Sequence, residues 1–390
     1  MAIILRDYQK AASDKAVAFF KDKSKKSNGV MVLPTGAGKS IVIADIAHRL
    51  NDYVLIFCPS REIVEQNYLK LCSYGILDCS VYSASFGRKD ISRITFATIG
   101  SVKNHPELFQ HFRNIIIDEC HLVNPKEGMY KDFLTMLQCK VLGLTATPYR
   151  LSSSRDFGSM LKFITRTRPC VFSEVIYQVQ ISTLLDMGYL SKLNYYAMNP
   201  LGWNELNLKV NTTGADYTDK SVVKEYERID FYGFLVSIVR RLMNPKVGGK
   251  RKGILVFTRF LKEAQRLTQS IPGTAIVSGD TPKKERERIL EEFKAGEIPV
   301  VANVGVLTTG FDYPELDTIV MARPTMSLAL WYQIVGRAIR PHPTKEAGWI
   351  VDLCGNIKRF GEVKDLRLVN GGNGKWAVFS NNRQLTNVRF

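Results

Sequence analysis

A glycine-rich loop is the part of the sequence whose residue types and spacing most clearly predict chemistry. The loop Thr35-Gly36-Ala37-Gly38-Lys39-Ser40 follows an apolar run at 29–34 and opens a segment at 40–50 with helical spacing. Glycines allow backbone N–H groups to wrap around a phosphate, and the N-terminus of the following helix adds its positive end. The ammonium of Lys39 would reach the outer phosphates of a nucleotide, and the hydroxyl of Ser40 would ligate Mg²⁺. The loop therefore predicts a nucleotide-binding site.

Two carboxylates lie at the end of a later apolar run. Asp118 closes the run 114–118, and Glu119 follows it directly. In a parallel sheet the C-terminal ends of the strands meet at one edge, so this pair would lie beside the glycine-rich loop. Asp118 would hold Mg²⁺ through water, and Glu119 would polarise the water that attacks a phosphate. The pair therefore predicts hydrolysis of the bound nucleotide.

Three polar side chains in the second half of the chain repeat with helical spacing. Gln333, Arg337 and Arg340 lie at i, i+4 and i+7, which places them on one face of a helix. That face can present two guanidiniums to a phosphate held by the first half of the chain. The same spacing is common on solvated helix faces, so spacing alone leaves both interpretations open.

Short apolar runs that alternate with amphipathic stretches would position these side chains. The runs predict strands at 29–34, 53–58, 94–98, 114–118, 141–145, 253–257, 274–278, 299–303, 317–322 and 349–353. Helical spacing predicts helices at 40–50, 60–71, 181–187 and 225–243. Buried strands that alternate with helices imply an α/β fold with parallel sheets covered on both faces. The alternation weakens over 152–175, which we expect to be a connection, and over the loop-rich stretch 200–252, so the chain has two α/β halves.

The composition of the 390 residues indicates a polyanionic partner. Lys and Arg total 54 against 37 Asp and Glu, which gives a net charge of +17, and such a surplus is typical of proteins that bind nucleic acid. The sequence contains no run of about 18 apolar residues, so we expect no membrane partner. The start of the chain also lacks the residue order of a signal peptide, which predicts a cytoplasmic protein.

Together these motifs resemble the superfamily 2 helicases of the DEAD/DEAH-related type, whose box reads Asp118-Glu119-Cys120-His121 in this sequence. The motifs follow the order of that family over nearly the whole chain. The residues of these motifs are most similar to those of the RadD-like DNA-repair helicases, and phage branch-migration helicases are the neighbouring group. This resemblance implies that the protein acts in a bacterial or phage-infected cell. The resemblance implies two tandem RecA-like domains at 1–165 and 166–362, each a mostly parallel sheet with helices on both faces, and a basic tail at 363–390 that is solvated or contacts nucleic acid.

The resemblance also implies roles for individual residues. The expected nucleotide contacts beyond the glycine-rich loop are Arg6 and Gln9 at the adenine, Gly310 and Asp312 in the motif at 306–312, and Gln333, Arg337 and Arg340 at the phosphates. Arg340 would stabilise charge on the transferring phosphoryl group, while Arg337 would support the γ-phosphate. The residues expected to contact nucleic acid are Ser60, Arg61, Thr98, Ser101, Thr258, Arg259 and Thr308. Those expected to couple hydrolysis to domain movement are His121, Thr145 and Thr147.

The function that follows is an ATP-dependent DNA helicase or translocase that uses ATP and Mg²⁺. It would move on or remodel single-stranded, forked or branched DNA in repair, recombination or replication, with single-strand-binding or repair proteins as partners implied by the resemblance. Two alternatives stay open. The chain could be a DNA-stimulated ATPase motor that does not separate strands, as in a restriction or defence complex, or it could be an RNA helicase, because backbone contacts do not reveal whether a 2′-hydroxyl is read.

Overall fold

The protein folds into two largely parallel β-sheets that lie in sequence along the chain. The computed structural model describes residues 3–154, 158–198, 206–212, 215–245, 251, 253–308, 311 and 313–388. Strands of the first sheet are buried on both faces, which explains their continuous apolar runs. Alternate residues of these strands enter two separate apolar clusters: Met31, Ile56 and Ile116 in one, and Val30, Leu55 and Ile115 in the other.

The first sheet brings the glycine-rich loop and the carboxylate pair to the same edge. The strands of the first half are β1 (Gly29–Val32), β2 (Val54–Phe57), β3 (Cys79–Ser83), β4 (Arg88–Lys89), β5 (Ile94–Ala97), β6 (Asn114–Asp118), β7 (Lys140–Thr145), β8 (Tyr149–Ser154), β9 (Gly158–Phe163) and β10 (Glu174–Gln178). In the described residues the sheet order is β10-β1-β7-β6-β2-β5-β3-β4, and β8 pairs with β9 as a separate antiparallel hairpin. Because β7 pairs in parallel with both β1 and β6, the ends of β1 and β6 lie side by side at one edge.

Helices of the first half cover this sheet. They are α1 (Asp7–Lys21), α2 (Lys39–Leu50), α3 (Arg61–Ser73), α4 (Ile99–Val102), α5 (Met129–Thr135) and α6 (Ile181–Asp186). Ser60 caps α3, because its hydroxyl accepts the N–H of Ile63 at 3.4 Å. Helix α2 begins directly after the glycine-rich loop, so its N-terminus points at that edge of the sheet.

The second sheet has six parallel strands within the described part of the chain. These strands are β11 (Lys192–Ala197), β12 (Ile254–Thr258), β13 (Thr274–Val277), β14 (Val300–Val304), β15 (Thr318–Ala322) and β16 (Ala347–Asp352), in the order β11-β16-β15-β12-β14-β13. Its helices are α7 (Asp219–Arg228), α8 (Phe231–Met243), α9 (Leu261–Ser270), α10 (Lys283–Ala295), α11 (Leu328–Val335) and α12 (Asn356–Phe360). No helix of the described residues is long and apolar enough to cross a membrane.

The C-terminal segment differs from the expected basic tail. It forms a three-stranded antiparallel sheet of β17 (Leu366–Asn370), β18 (Trp376–Ser380) and β19 (Arg383–Gln384). This small sheet packs on the first half of the chain: the ring of Trp376 stacks on Phe163 at 6.2 Å, and the side-chain amide of Gln180 bonds both the carbonyl and the N–H of Leu368, at 2.8 and 3.0 Å. The expectation of a solvated tail was wrong because its apolar residues are buried against these partners.

Two further expectations about the elements need correction. The stretch 152–175, expected to be a connection, contains most of the β8–β9 hairpin and the start of β10. Strand β10 belongs to the first sheet, although it follows the expected domain boundary at 165/166. The single helix expected at 225–243 is broken between α7 and α8 at Asp230, which has a φ of 47°. The carboxylate of Asp230 accepts the N–H of Gly233 at 3.3 Å, so the break is stabilised by a helix cap.

A buried carboxyl at the start of α9 makes the stability of the fold depend on pH. Glu263 is fully buried, and its carboxylate accepts the N–H of Phe260 at 3.2 Å. Burial raises the pKa of Glu263 from 4.5 to about 7. The folded state therefore binds this proton more tightly than the unfolded chain, so stability falls as the pH rises from about 4.5 to 7 and the cost stays complete above that range.

Replacing Glu263 with glutamine should remove this cost. We expect Glu263→Gln to raise the free energy of unfolding by about 1–3 kcal/mol at pH 8 and to change it little at pH 4.5, as measured by denaturant unfolding at both pH values. Glu285, which is exposed at the third position of α10, is the matched control, and Glu285→Gln should change stability little at either pH. An equal effect of Glu263→Gln at the two pH values would contradict the prediction.

Candidate nucleotide site

At two positions the glycine-rich loop has a backbone conformation that only glycine adopts easily. Gly36 and Gly38 have φ values of 83° and 79°, in the left-handed region. A Cβ on Gly38 would lie 2.6 Å from the side-chain nitrogen of Gln9, and one on Gly36 would lie 2.9 Å from Leu190. Conformation and space both require glycine here, and the loop can therefore direct its backbone N–H groups toward a phosphate at the start of α2.

Residues at the start of α1 support the loop from behind. The Gln9 amide donates to the carbonyl of Ala37 at 2.9 Å and accepts the N–H of Arg6 at 3.0 Å, while the Tyr8 hydroxyl donates to the same Ala37 carbonyl at 2.8 Å. The Arg6 guanidinium lies 4.3 Å from the centre of the Tyr189 ring. The structure thus gives Gln9 a role in holding the loop, and adenine contacts by Arg6 and Gln9 stay predictions.

The carboxylate pair, in which Asp118 is buried and Glu119 half-buried, is linked to the loop. The ammonium of Lys39 lies 3.3 Å from a carboxylate oxygen of Glu119, and the second oxygen lies 3.3 Å from Nδ1 of His121. Burial alone would raise the pKa of Glu119, but the positive charge of Lys39 and the contact with His121 outweigh it and hold the pKa at about 2. Burial, reinforced by the charge of Glu119, raises the pKa of Asp118 to about 6. Glu119 is therefore an ionised carboxylate at neutral pH.

The backbone at Glu119 is unusual for a residue other than glycine. Its φ is 51°, in the left-handed region, and its N–H donates to its neighbour Asp118 at 3.0 Å. A non-glycine residue in this conformation costs about 1–3 kcal/mol, and such strain tends to occur at functional sites. Here it turns the Glu119 side chain toward Lys39.

A cavity of about 710 Å³ lies over the loop and the carboxylates, and both halves of the chain form its walls. The first half contributes Thr35, Gly36, Gly38, Lys39, Ser40, Ile41, Ile63, Gln66, Asn67, Leu69, Lys70, Ser73, Asp118 and Glu119, and the second half contributes Gln333, Arg337 and Arg340. The predicted loop, carboxylate pair and three polar side chains are therefore brought together. The single helix expected to carry these three side chains is a correction, because α11 ends at Val335 and both Arg337 and Arg340 lie after it. Ala37 is buried beneath the loop rather than on the wall, and Arg6 and Gln9 lie behind it.

The two halves touch at this cavity. Nε2 of Gln333 lies 3.4 Å from Nε2 of His121, and a Cβ on Gly336 would come within 2.7 Å of the Thr35 side chain. The other ring nitrogen of His121 lies 2.9 Å from the hydroxyl of Thr145 and 3.1 Å from that of Thr147. These contacts connect the predicted coupling residues of the first half to α11 of the second half.

Arg337 and Arg340 are half-buried cations. The Arg337 guanidinium donates to the carbonyl of Phe311 at 2.7 Å, and burial lowers its pKa. Burial also lowers the pKa of Arg340. Removing a cation from water is costly unless an anion or hydrogen bonds compensate for it, so the cavity is electrostatically suited to a polyphosphate. Gly310 and Asp312, expected to complete the nucleotide contacts, lie outside the described residues.

Several residues expected to contact nucleic acid lie at one edge of the first sheet. The Arg61 guanidinium lies 5.7 Å from the centre of the Phe86 ring. The hydroxyls of Thr98 and Ser101 bond each other at 2.9 Å, and Ser101 also accepts the N–H of Ala84 at 2.9 Å. Together with Ser60 at the cap of α3, they form a polar edge, and contact of this edge with a nucleic acid stays a prediction.

The corresponding residues of the second half are used within the fold. Thr258 is 1% exposed and donates to the Asn303 carbonyl at 3.3 Å. The guanidinium of Arg259, whose side chain is 9% exposed, pairs with Asp216 at 3.0 Å and Asp219 at 2.7 Å. In this conformation the structure thus gives both residues a packing role in place of the expected nucleic-acid contact, because their polar atoms are buried and bonded. Thr308 is half-buried.

One face of α3 lines the cavity although the sequence analysis did not assign it there. Ile63, Gln66, Asn67, Lys70 and Ser73 follow helical spacing along this face. That periodicity was visible in the sequence, but it does not distinguish a helix face that lines a site from one that packs in the core. Only the structure identifies it, because it places Asn67 of α3 3.5 Å from Asp118 at the end of β6.

The donors at the cavity suit Mg²⁺. The hydroxyl of Ser40 and the carboxylate of Asp118 line the same wall, and both are hard oxygen donors. The described residues contain no cluster of three or more His, Cys, Asp or Glu side chains able to hold a metal ion. Mg²⁺ is commonly held by one or two protein oxygens, phosphates and several waters, so the donor set fits this ion when a nucleotide supplies the rest.

Comparisons with known proteins give two family matches and several relatives. Residues 2–150 match the family described as "Type III restriction enzyme, res subunit", and residues 236–342 match the "Helicase conserved C-terminal domain". The chain is 26% identical over 370 residues to the "DNA 3'-5' translocase XPB2" of Sulfurisphaera tokodaii, covering 87% of this chain and 79% of that protein. It is 24% identical over 322 residues to a "51.5 kDa protein" of a Lactococcus phage, covering 80% of this chain and 63% of the phage protein. Other curated relatives are longer still, and the chain spans 52% and 50% of two of them.

A solved structure has the same fold. It is titled "ATP-dependent Type ISP restriction-modification enzyme LlaBIII bound to DNA", and it matches with a TM-score of 0.68 at 18% identity over 90% of this chain and 28% of that one. The expected α/β fold with two RecA-like sheets is thereby confirmed, while the RadD-like assignment stays a prediction. Both family matches, in the order and at the positions of the cavity-forming motifs, show that the chain belongs to the superfamily 2 helicases.

Proposed function

We propose that this protein is an ATP-dependent DNA helicase or translocase, in which ATP hydrolysis drives movement along DNA. The observation that carries the proposal is the shared cavity: Lys39, Asp118 and Glu119 from the first half face Arg337 and Arg340 from the second. A nucleotide held there would touch both halves, so its presence favours the closed arrangement through contacts made only in that arrangement.

The proposal gives chemical tasks to the loop and to five side chains of the cavity, Lys39, Ser40, Asp118, Glu119 and Arg340. Backbone N–H groups of the loop and the Lys39 ammonium bind the phosphates, while Ser40 and Asp118 hold Mg²⁺. When bound, Mg²⁺ would neutralise negative charge on the phosphates. The ionised Glu119 orients the attacking water and accepts its proton. Arg340 stabilises negative charge that develops on the transferring phosphoryl group.

The chain of contacts through His121 offers a route from hydrolysis to movement. His121 contacts Glu119, the hydroxyls of Thr145 and Thr147, and Gln333 of the second half. Release of the γ-phosphate removes the anion that Arg337 and Arg340 face, and the two halves can then separate. Because the sheets lie on either side of this joint, opening and closing would shift a strand bound across them.

DNA is the polyanion that best accounts for the charge and the comparisons. The net charge of +17 suits a phosphate backbone, and one relative is named a DNA translocase while one structural neighbour is bound to DNA. The polar edge formed by Ser60, Arg61, Thr98 and Ser101 is the expected contact surface. Contacts to phosphates carry little sequence information, so binding should tolerate any sequence and weaken strongly with salt.

The proposal is tested by ATPase measurements with a panel of nucleic acids. We expect single-stranded, forked or four-way DNA to raise the ATPase rate at least tenfold over the protein alone, and a forked duplex to be separated in a strand-displacement assay. Equal rates with DNA, with RNA and without nucleic acid would overturn the proposal. Stimulation by RNA alone would identify an RNA helicase.

A second candidate function is the motor of a restriction or defence complex. It is favoured by the match of residues 2–150 to the restriction-enzyme family and by the fold shared with LlaBIII. Such a motor would displace a triplex-forming strand from duplex DNA without separating a fork. A nuclease or methylase gene beside the gene for this chain would support it.

A further inference from the structure

Asn67 on α3 is a buried polar residue at the wall of the cavity, and the proposed mechanism of hydrolysis does not use it. It is 3% exposed and lines the cavity next to Asp118. Its Nδ2 lies 3.5 Å from a carboxylate oxygen of Asp118 and 3.4 Å from Sγ of Cys58. The amide is therefore oriented with its donor end toward the carboxylate proposed to hold Mg²⁺.

The other end of this amide lacks a partner. Within the described residues, Oδ1 of Asn67 is buried and makes no hydrogen bond. A buried acceptor without a donor costs about 1–3 kcal/mol. Reversing the amide does not solve the problem, because Oδ1 would then face the Asp118 carboxylate, which has only acceptors to offer when ionised. This acceptor is therefore available to a hydrogen-bond donor that arrives with a ligand.

The chemistry of the cavity limits what this donor can be. Phosphate oxygens are acceptors and cannot serve Oδ1, and the nearby ammonium of Lys39 is paired with Glu119 at 3.3 Å. Water molecules bound to Mg²⁺ are donors, and Mg²⁺ in nucleotide sites usually keeps several of them. Since Asp118 is adjacent, a hydrated metal ion would bring such donors within reach of Asn67.

We propose that Asn67 is a positioning residue for hydrated Mg²⁺, in which Nδ2 orients the carboxylate of Asp118 and Oδ1 accepts a hydrogen bond from a metal-bound water. This inference rests on the proposed function, because it requires a nucleotide and Mg²⁺ in the cavity. Outer partners of this kind contribute roughly 10–100-fold to metal affinity. Asn67 should therefore affect metal-dependent binding much more than the binding of the nucleotide itself.

The test measures the affinity of the full chain for a fluorescent non-hydrolysable ATP analogue, first in EDTA and then over a Mg²⁺ titration. In the Asn67→Leu variant, we expect the Mg²⁺ concentration for half-maximal effect to rise at least about tenfold. Affinity in EDTA should stay within about twofold of the parent protein, because Asn67 makes no contact with the phosphates in this proposal. Asn67→Ser, which also lacks the amide, provides a second variant if the leucine does not fold.

Asn114 supplies a matched control. It is a buried asparagine at the opposite end of β6, and its amide donates to the Asp52 carboxylate at 3.0 Å. Asn114→Leu therefore removes the same kind of bond far from the cavity and should leave the Mg²⁺ titration unchanged. A Mg²⁺ dependence of the Asn67 variants within about twofold of the parent would overturn the inference alone, whereas a parent protein that binds no nucleotide would overturn the proposed function as well.

Discussion

Replacing Glu119 with glutamine is expected to lower the ATP turnover rate about a thousandfold while leaving nucleotide affinity within a few-fold of the parent protein. Loss of a positioned general base typically costs about 10²–10⁴-fold. Glutamine keeps the size and an oxygen acceptor, but it cannot take a proton. The pKa of Glu119 at about 2 means that the carboxylate is ionised at neutral pH and available for this task.

Lys39→Ala provides the contrasting outcome. It removes the ammonium 3.3 Å from Glu119 and the predicted phosphate contact together, so we expect loss of both hydrolysis and nucleotide binding. Steady-state ATPase assays and the equilibrium binding of a fluorescent nucleotide measure both quantities. Glu127→Gln, at an exposed position after the same strand, should leave both unchanged. Normal turnover in either Glu119→Gln or Lys39→Ala would refute the assignment of the cavity as an ATPase site.

The parts of the site that the sequence predicted are those encoded by neighbouring residues. The glycine-rich loop is a continuous segment whose conformation follows from its glycines, and the acidic pair follows an uninterrupted apolar strand. Parallel pairing of β1, β7 and β6 then suffices to bring Lys39 near Glu119. Helical spacing predicted that Gln333, Arg337 and Arg340 act together, but α11 ends at Val335 and only Gln333 lies on the helix. Only the structure shows that Gln333 reaches His121 of the other half.

The parts that were missed depend on contacts between distant segments. Gln180 and Leu368 are 188 residues apart, and their two hydrogen bonds help to attach the C-terminal sheet to the first half. The short strands there mix apolar residues with Arg and Lys, a composition that is equally compatible with a solvated tail. Arg259 was expected to contact nucleic acid, but it pairs with Asp216 and with Asp219 at the start of α7. Asn67 carries no signal in the sequence, because its importance comes from the carboxylate of another element.

Arg340 is the residue whose replacement should best separate catalysis from binding. It lies on the cavity wall, and a Cβ on Gly36 would be 3.8 Å from its side chain, so the second half brings this arginine close to the glycine-rich loop. An arginine supplied to a phosphoryl transition state in this way contributes about 10³–10⁵-fold to turnover. Arg340→Ala should therefore reduce ATP hydrolysis by about a thousandfold or more, while the loop and Lys39 retain most of the nucleotide affinity.

Two further variants, Arg340→Lys and Arg241→Ala, are compared with Arg340→Ala. Arg340→Lys keeps the charge but loses the planar pair of donors, so it should recover only part of the activity. Arg241→Ala removes an exposed arginine of α8 and should leave hydrolysis unchanged. Turnover and nucleotide affinity are measured for each variant, with and without DNA. If Arg340→Ala lost affinity as much as turnover, Arg340 would be holding the two halves together; if only turnover fell, the ATPase would be a composite of both halves, and closure of the cavity would be a requirement of each catalytic cycle.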